Sequence, residues 1–298
     1  MYAIPKSQNF PIINENILIY FVTYCAESLN LTYHTIKSYL CGIRYTYISN
    51  GFHNPLESTF GKPLLQLEIV LKGIRKLHTK PTVPRLPITI NILKGICSLL
   101  DRGFSGHFED TCFKAVCLMA FFAFLRCGEF TCISSFDPSS NLCLSDVEFQ
   151  FTEFTASAYI LNLKVSKTDP FRTGCKLSLF RINSVLCPVS AMLKYMKLRR
   201  SRGAISTDPL FVNGDNQPLT RTYFLHTLRS LLSCLGVNSS LYAGHSFRRG
   251  AASMAAKANV PDHLIKVLGR WSSDCYQRYI DTPRKLLIEA QNKMAMNP

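Results

Sequence analysis

No apolar run in this 298-residue chain is longer than 11 residues, the longest being Ala115 to Leu125. A membrane-spanning helix needs about 20, so that run reads as a buried helix and no membrane partner is expected. The N-terminal stretch carries no apolar h-region, so secretion is not expected either. No two of the 12 cysteines form a C-x-x-C pair, and the seven histidines show no paired metal spacing. No metal site is expected. The cysteines read as small core hydrophobes of an intracellular, reducing compartment. Gly and Pro number 15 each, near average usage, which excludes collagen-like and low-complexity classes.

Acid is also scarce. Asp and Glu total 19 against 34 Lys and Arg, a net charge of +15. The excess is greatest over residues 221–298, with 11 basic residues against 4 acidic. Charge of this size in a chain able to bury a sizeable core suggests a polyanion such as nucleic acid, or simply a basic surface.

Helical spacing of apolar residues predicts helices over 12–30, 33–49 and 63–78. Thr32 is a candidate N-cap for the second, and Gly51 its stop. Pro81, Pro84 and Pro87 then interrupt the pattern, three prolines within seven residues. This is the best domain boundary. It divides a helical domain at 1–80 from a second domain at 88–298, with a Pro-rich linker at 81–87. Lys76, Lys80 and Arg85 flank that linker and would suit a strap on a phosphate backbone, or an ordinary solvated linker. Helices are predicted at 89–100 and 109–125. Alternating residues in 147–151, 159–165 and 177–180 then predict a short antiparallel sheet. Further helices are predicted at 188–200, 221–235, 246–258, 261–269, 273–280 and 284–295. The fold class is mainly α with a small antiparallel β-sheet.

Four places could carry chemistry. Arg126 ends a very apolar helix, and Glu129 three residues on can pair with it. Alone, that is a helix-end salt bridge. Lys167 falls where a strand gives way to a turn, and alone it is a solvated turn lysine. His245 and Arg248 are three apart at a helix start, both on one face near a positive helix end, where a bound phosphate would relieve the charge conflict. Trp271, the only tryptophan, is followed by Tyr276 and Tyr279. Alone, these read as an aromatic core cluster.

In chain order the set is Arg126, Lys167, His245-x-x-Arg248, Trp271 and Tyr279. It resembles the tyrosine recombinase (phage-integrase-type) family, whose pattern is Arg, Lys on a β-hairpin, His-x-x-Arg, His or Trp, then a nucleophilic Tyr. The resemblance covers about 85–281. Residues Gly269-Arg270-Trp271, Arg278-Tyr279-Ile280 and Ser166-Lys167-Thr168-Asp169-Pro170 are most similar to eukaryotic crypton-type transposon recombinases. Two features depart from the usual pattern. Trp271 to Tyr279 is eight residues rather than nine, which keeps Tyr276 as a rival nucleophile, and the N-terminal part has three clear helices where four or more are usual.

The resemblance implies a helical DNA core-binding (SAM-like) domain followed by a mixed α+β catalytic domain. It implies strand cutting and rejoining through a 3′-phosphotyrosyl link, without metal, ATP or other cofactor. Arg126 and Arg248 would clamp the phosphate oxygens, His245 accept the tyrosine proton, Lys167 protonate the leaving 5′ oxygen, and Trp271 line the site. Glu129 would stand behind them, and Lys76, Lys80, Arg85, Arg249 and Arg270 would meet DNA. The implied partner is double-stranded DNA, two duplexes held by a tetramer, in the nucleus if the source is eukaryotic. The alternative is a domesticated DNA-binding relic that no longer cuts. A type IB topoisomerase would usually lack His245.

Overall fold

The computed structural model describes residues 11–58, 60–77, 85–133, 135–153, 155–167, 169, 171–279, 288 and 291–292, with backbone alone at 275, 278 and 279. The chain forms two compact units, Met1–Thr82 and Val83–Pro298.

The first unit holds three helices, α1 (Glu15–Glu27), α2 (Tyr33–Ser49) and α3 (Leu65–Leu77). Side-chain caps set the first two starts: Asn14 accepts the Ile17 N–H at 3.0 Å and Thr32 that of Thr35 at 3.4 Å. Glu15 reaches across to accept the Leu67 N–H at 3.0 Å, near the open start of α3. Leu18, Val22, Ile36, Leu40, Leu67, Leu71 and Ile74 close a small core. The first helix is shorter than the predicted 12–30, because the Asn14 cap fixes its start and Asn30 turns left-handed (φ 49°) beyond its end.

The second unit runs α4 (Ile90–Arg102), α5 (His107–Phe122), β1 (Val147–Thr152), β2 (Thr155–Leu163), β3 (Cys175–Phe180), α6 (Pro188–Ser201), α7 (Arg221–Cys234), α8 (Ser246–Lys257) and α9 (Asp262–Gly269). Its three-stranded antiparallel sheet has the order β1-β2-β3. Val147 pairs with Leu161 and Leu177 with Leu161 from the other side, so one apolar row faces the core, and a bulge at Gln150/Phe151 shifts the β1 register. The almost wholly buried α5 runs through the core, where Phe113 stacks on Phe224 with ring centres 5.3 Å apart. No described helix is long and apolar enough to cross a membrane.

Three departures from the sequence pattern lie near the site. Helix α5 stops at Phe122, not 125: Phe124 turns left-handed (φ 52°), and the Leu125 N–H closes back on Ala120 O at 2.9 Å. Strand β2 stops at Leu163, so Val165 lies in the connection and Lys167 sits within an 11-residue span, 164–174. The predicted helix at 273–280 is a tighter 3₁₀ stretch, Asp274–Tyr279. The predicted helix at 284–295 falls almost wholly outside the described residues, as do residues 81–84 of the linker. From Arg85 on, the chain is docked: Leu86 N–H donates to Leu241 O (2.8 Å) and Ile88 N–H to Ser246 O (2.9 Å). A side chain at Gly250 would strike the Ile88 carbonyl, which explains glycine in α8 there.

Candidate active site

The left-handed turn at Phe124 delivers Arg126 to a buried carboxylate. Arg126 caps a 3₁₀ turn, Cys127–Glu129, and the Glu129 carboxylate folds back onto it. Glu129 Oε2 accepts the Arg126 backbone N–H at 2.8 Å, and Oε1 accepts Arg126 Nη1 at 2.9 Å. Ser166, the neighbour of Lys167, donates to Oε1 at 3.1 Å and accepts from Arg126 Nη1 at 3.1 Å. Arg270 Nη2 donates to Oε2 at 2.7 Å. One buried carboxylate thus ties together the end of α5, the β2–β3 connection and the end of α9.

The connection that carries Lys167 is held at both ends. Lys164 at its start pairs with Asp146 at 2.7 Å and donates to the carbonyls of Pro138 (2.8 Å) and Asn141 (3.1 Å). Near its other end Asp169 accepts the Gly174 N–H at 2.8 Å, and Gly174 is left-handed (φ 67°) where a side chain would strike the Leu163 carbonyl. Lys167 is exposed between these anchors.

His245 is the N-cap residue of α8, and Arg248 lies one turn in. Arg248 is fully buried. Its guanidinium donates to the carbonyls of Phe124 (2.5 Å) and Gly269, and lies 4.1 Å from the Trp271 ring centre. The other face of this layer is Phe124, edge-on to Trp271 at 6.2 Å. His245, by contrast, is exposed at the rim. Partial desolvation, reinforced by the positive charges of Arg126, Arg221, Arg248 and Lys167, holds its pKa below the usual 6.5. At neutral pH the imidazole is therefore uncharged and able to take a proton.

The structure brings Arg126, Lys167, His245, Arg248, Trp271 and Glu129 into one neighbourhood. The backbone of Tyr279 lies at the end of the 3₁₀ stretch that follows Trp271; its side chain is outside the described residues. Tyr276 is buried against Trp271 with ring centres 5.9 Å apart. Burial and the carboxylates of Asp262 and Asp274 push its phenol above the usual 10.

No family model matches the chain. An integrase/recombinase XerD homolog of Selenomonas ruminantium is 22% identical over 277 residues, covering 88% of this chain and 72% of that protein. The XerH site-specific recombinase, solved bound to a palindromic difH substrate as a post-cleavage complex, superposes with a TM-score of 0.62 at 15% identity, covering 94% of this chain and 69% of that one. The Tn1549 transposon integrase with circular intermediate DNA gives 0.58 at 15%, covering 96% and 86%. The fold is that of the tyrosine recombinases. The sequence likeness to the XerD homolog agrees with that fold.

On this recombinase fold, three expectations for DNA-facing cations change. Arg270 is turned inward onto Glu129 and the Ala123 carbonyl (3.1 Å) rather than outward. Arg249 donates to the Arg85 carbonyl at 2.9 Å, and Arg85 in turn to the Ser240 carbonyl, so both help dock the strap. Each finds a backbone carbonyl within reach, which a charge-based reading cannot foresee. Lys76 is exposed at the end of α3, and Lys80 lies outside the described residues. Sequence reasoning missed Arg221. Exposed at the first position of α7, it stands 3.9 Å from where a Cβ on Gly244 would lie. Its sequence signal was a cation directly after the helix-capping Thr220.

Proposed function

We propose that this chain is a site-specific DNA recombinase that cuts and rejoins strands through a 3′-phosphotyrosyl link. The observation that carries this reading is the convergence of four cations, Arg126, Lys167, Arg221 and Arg248, around His245, whose pKa is lowered first by partial desolvation and then by their charges. They come from four separate parts of the chain. Such a basin serves a reaction that builds negative charge on phosphate oxygens while protons move at its edges.

In the proposed step the Tyr279 hydroxyl attacks phosphorus and passes its proton to His245. The P–O5′ bond breaks, and Lys167 protonates the departing 5′ oxygen. Arginine forks would hold the non-bridging oxygens. Tyr276 is the poorer nucleophile, being buried with a raised pKa. The reverse attack by a second strand's 5′-OH completes exchange, which requires two duplexes and hence a tetramer. A crypton-type transposon origin with nuclear action is part of the same proposal, resting on the Gly269-Arg270-Trp271 and Ser166–Pro170 motifs.

The burial of Arg248 on two backbone carbonyls favours a second reading, a DNA-binding relic that no longer cuts. Covalent trapping decides between them. Protein would be mixed with nicked duplexes from the flanks of its own locus and a random pool, in EDTA, and run on a denaturing gel. A protein-linked DNA band that disappears in Tyr279→Phe, with binding intact, is the expected result. Binding without any band would favour the relic, and loss of the band in Tyr276→Phe alone would move the nucleophile.

A further inference from the structure

Arg270 is an unusual residue for its position. It caps α9 in the left-handed conformation (φ 56°, ψ 46°), a place where glycine is the ordinary choice. Its Nε is buried without a hydrogen-bond partner among the described residues. Both features cost stability. Against that cost stand two contacts, Nη1 to the Ala123 carbonyl at the end of α5 and Nη2 to the Glu129 carboxylate at 2.7 Å. The next residue is Trp271, which covers Arg248 and begins the segment bearing Tyr276 and Tyr279. Gly269, just before, has no room for a side chain because the Trp271 ring occupies that space.

We propose that Arg270 is a positioning residue, a latch that uses Glu129 to register the Trp271–Tyr279 segment against Arg126. The latch has an electrostatic side as well. Glu129 facing Arg126 alone makes a neutral pair, whereas Glu129 between Arg126 and Arg270 leaves one net positive charge beside the phosphate site. The consequence for strand cleavage rests on the recombinase reading; the registration of the segment does not.

The test uses Arg270→Gly, which relieves the backbone while deleting the latch, and Arg270→Lys, which keeps charge but not the fork. Trp271 is the only tryptophan, so its fluorescence reports the segment directly, without reference to activity. In Arg270→Gly its emission should shift to longer wavelength and acrylamide should quench it more strongly, with the melting temperature held or raised. Arg270→Lys should fall between. Unchanged emission and quenching would overturn the proposal, whether or not the protein cuts DNA. A large drop in melting temperature in both variants would also overturn it, reducing Arg270 to a fold support.

Covalent trapping then separates the two ideas. If wild type forms the Tyr279-dependent adduct, Arg270→Gly should slow its formation by at least about tenfold, the scale expected when reacting groups are misplaced by an ångström or so. In a Glu129→Gln background the same change should add little, because both act through one carboxylate. Additive losses with weaker DNA binding would mean direct DNA contact and refute the latch. If wild type forms no adduct, the recombinase reading fails, and Trp271 fluorescence alone judges the latch.

Discussion

The floor and the rim of the candidate active site are built on opposite principles. The floor (Arg126, Glu129, Arg248, Arg270 and Trp271) is mostly out of solvent and cross-tied by short hydrogen bonds. On the rim stand Lys167, Arg221 and His245, which are exposed. Charge stabilisation profits from groups fixed before the substrate arrives, since nothing then reorganises during the reaction. Proton transfer profits from groups that meet both solvent and substrate. Arg270 apart, where glycine relieves a left-handed backbone, the floor should therefore report mutations as stability and activity together, and the rim as activity alone.

The strongest break is Glu129→Ala. It leaves the largely buried guanidinium groups of Arg126 and Arg270 without the carboxylate between them. Removing one partner of a buried ion pair costs about 3–5 kcal/mol, a large share of a domain's stability. Urea denaturation should show that loss, with covalent trapping reduced alongside it. A loss under about 0.5 kcal/mol, the range of ordinary surface changes, would place Glu129 on the rim instead.

Lys167→Ala should do the opposite. Its stability change should stay within about 0.5 kcal/mol, because the anchors of its loop are Lys164–Asp146 and Asp169–Gly174, not Lys167. Cleavage should slow by about 10²–10⁴, the usual worth of a general acid. A 5′-bridging phosphorothioate, whose leaving group needs no proton, should restore the rate. Slow cleavage of that substrate too would remove Lys167 from the proton path.

The sequence showed this division only in part. Element types were legible because periodicity and caps are local: Thr32 caps α2 where the pattern places it. The order of Arg126, Lys167, His245 and Arg248 was legible as a motif. What stayed hidden depends on partners distant in sequence. Nothing near Arg270 announces Glu129, 141 residues away, and a basic side chain beside a glycine reads as solvent- or DNA-facing by default. The end of α5 was hidden for another reason. Phe124 takes a left-handed turn that sequence preference assigns to glycine, and its carbonyl then meets Arg248.

The mildest test concerns how the floor and rim speak to each other, through His245. Its folded pKa lies below 6.5, chiefly from desolvation and then from Arg126, Arg221, Arg248 and Lys167. The sign follows directly. Above 6.5 the imidazole is neutral both folded and unfolded. As pH falls, the unfolded chain takes the proton first, so the contribution to stability present above 6.5 is lost on the way down through the folded pKa. The acid limb of the cleavage profile should likewise lie below 6.5, where the proton acceptor fills. Arg221→Ala removes one repelling charge, touches no floor contact, and should move that limb upward toward 6.5. The imidazole proton resonances of His245 should titrate upward by the same amount in an NMR series. Because desolvation is the larger cause, the displacement should be small, and Arg221→Ala with Lys167→Ala should displace the resonance further than either alone. A limb and a resonance unmoved by both would mean that desolvation alone sets the histidine.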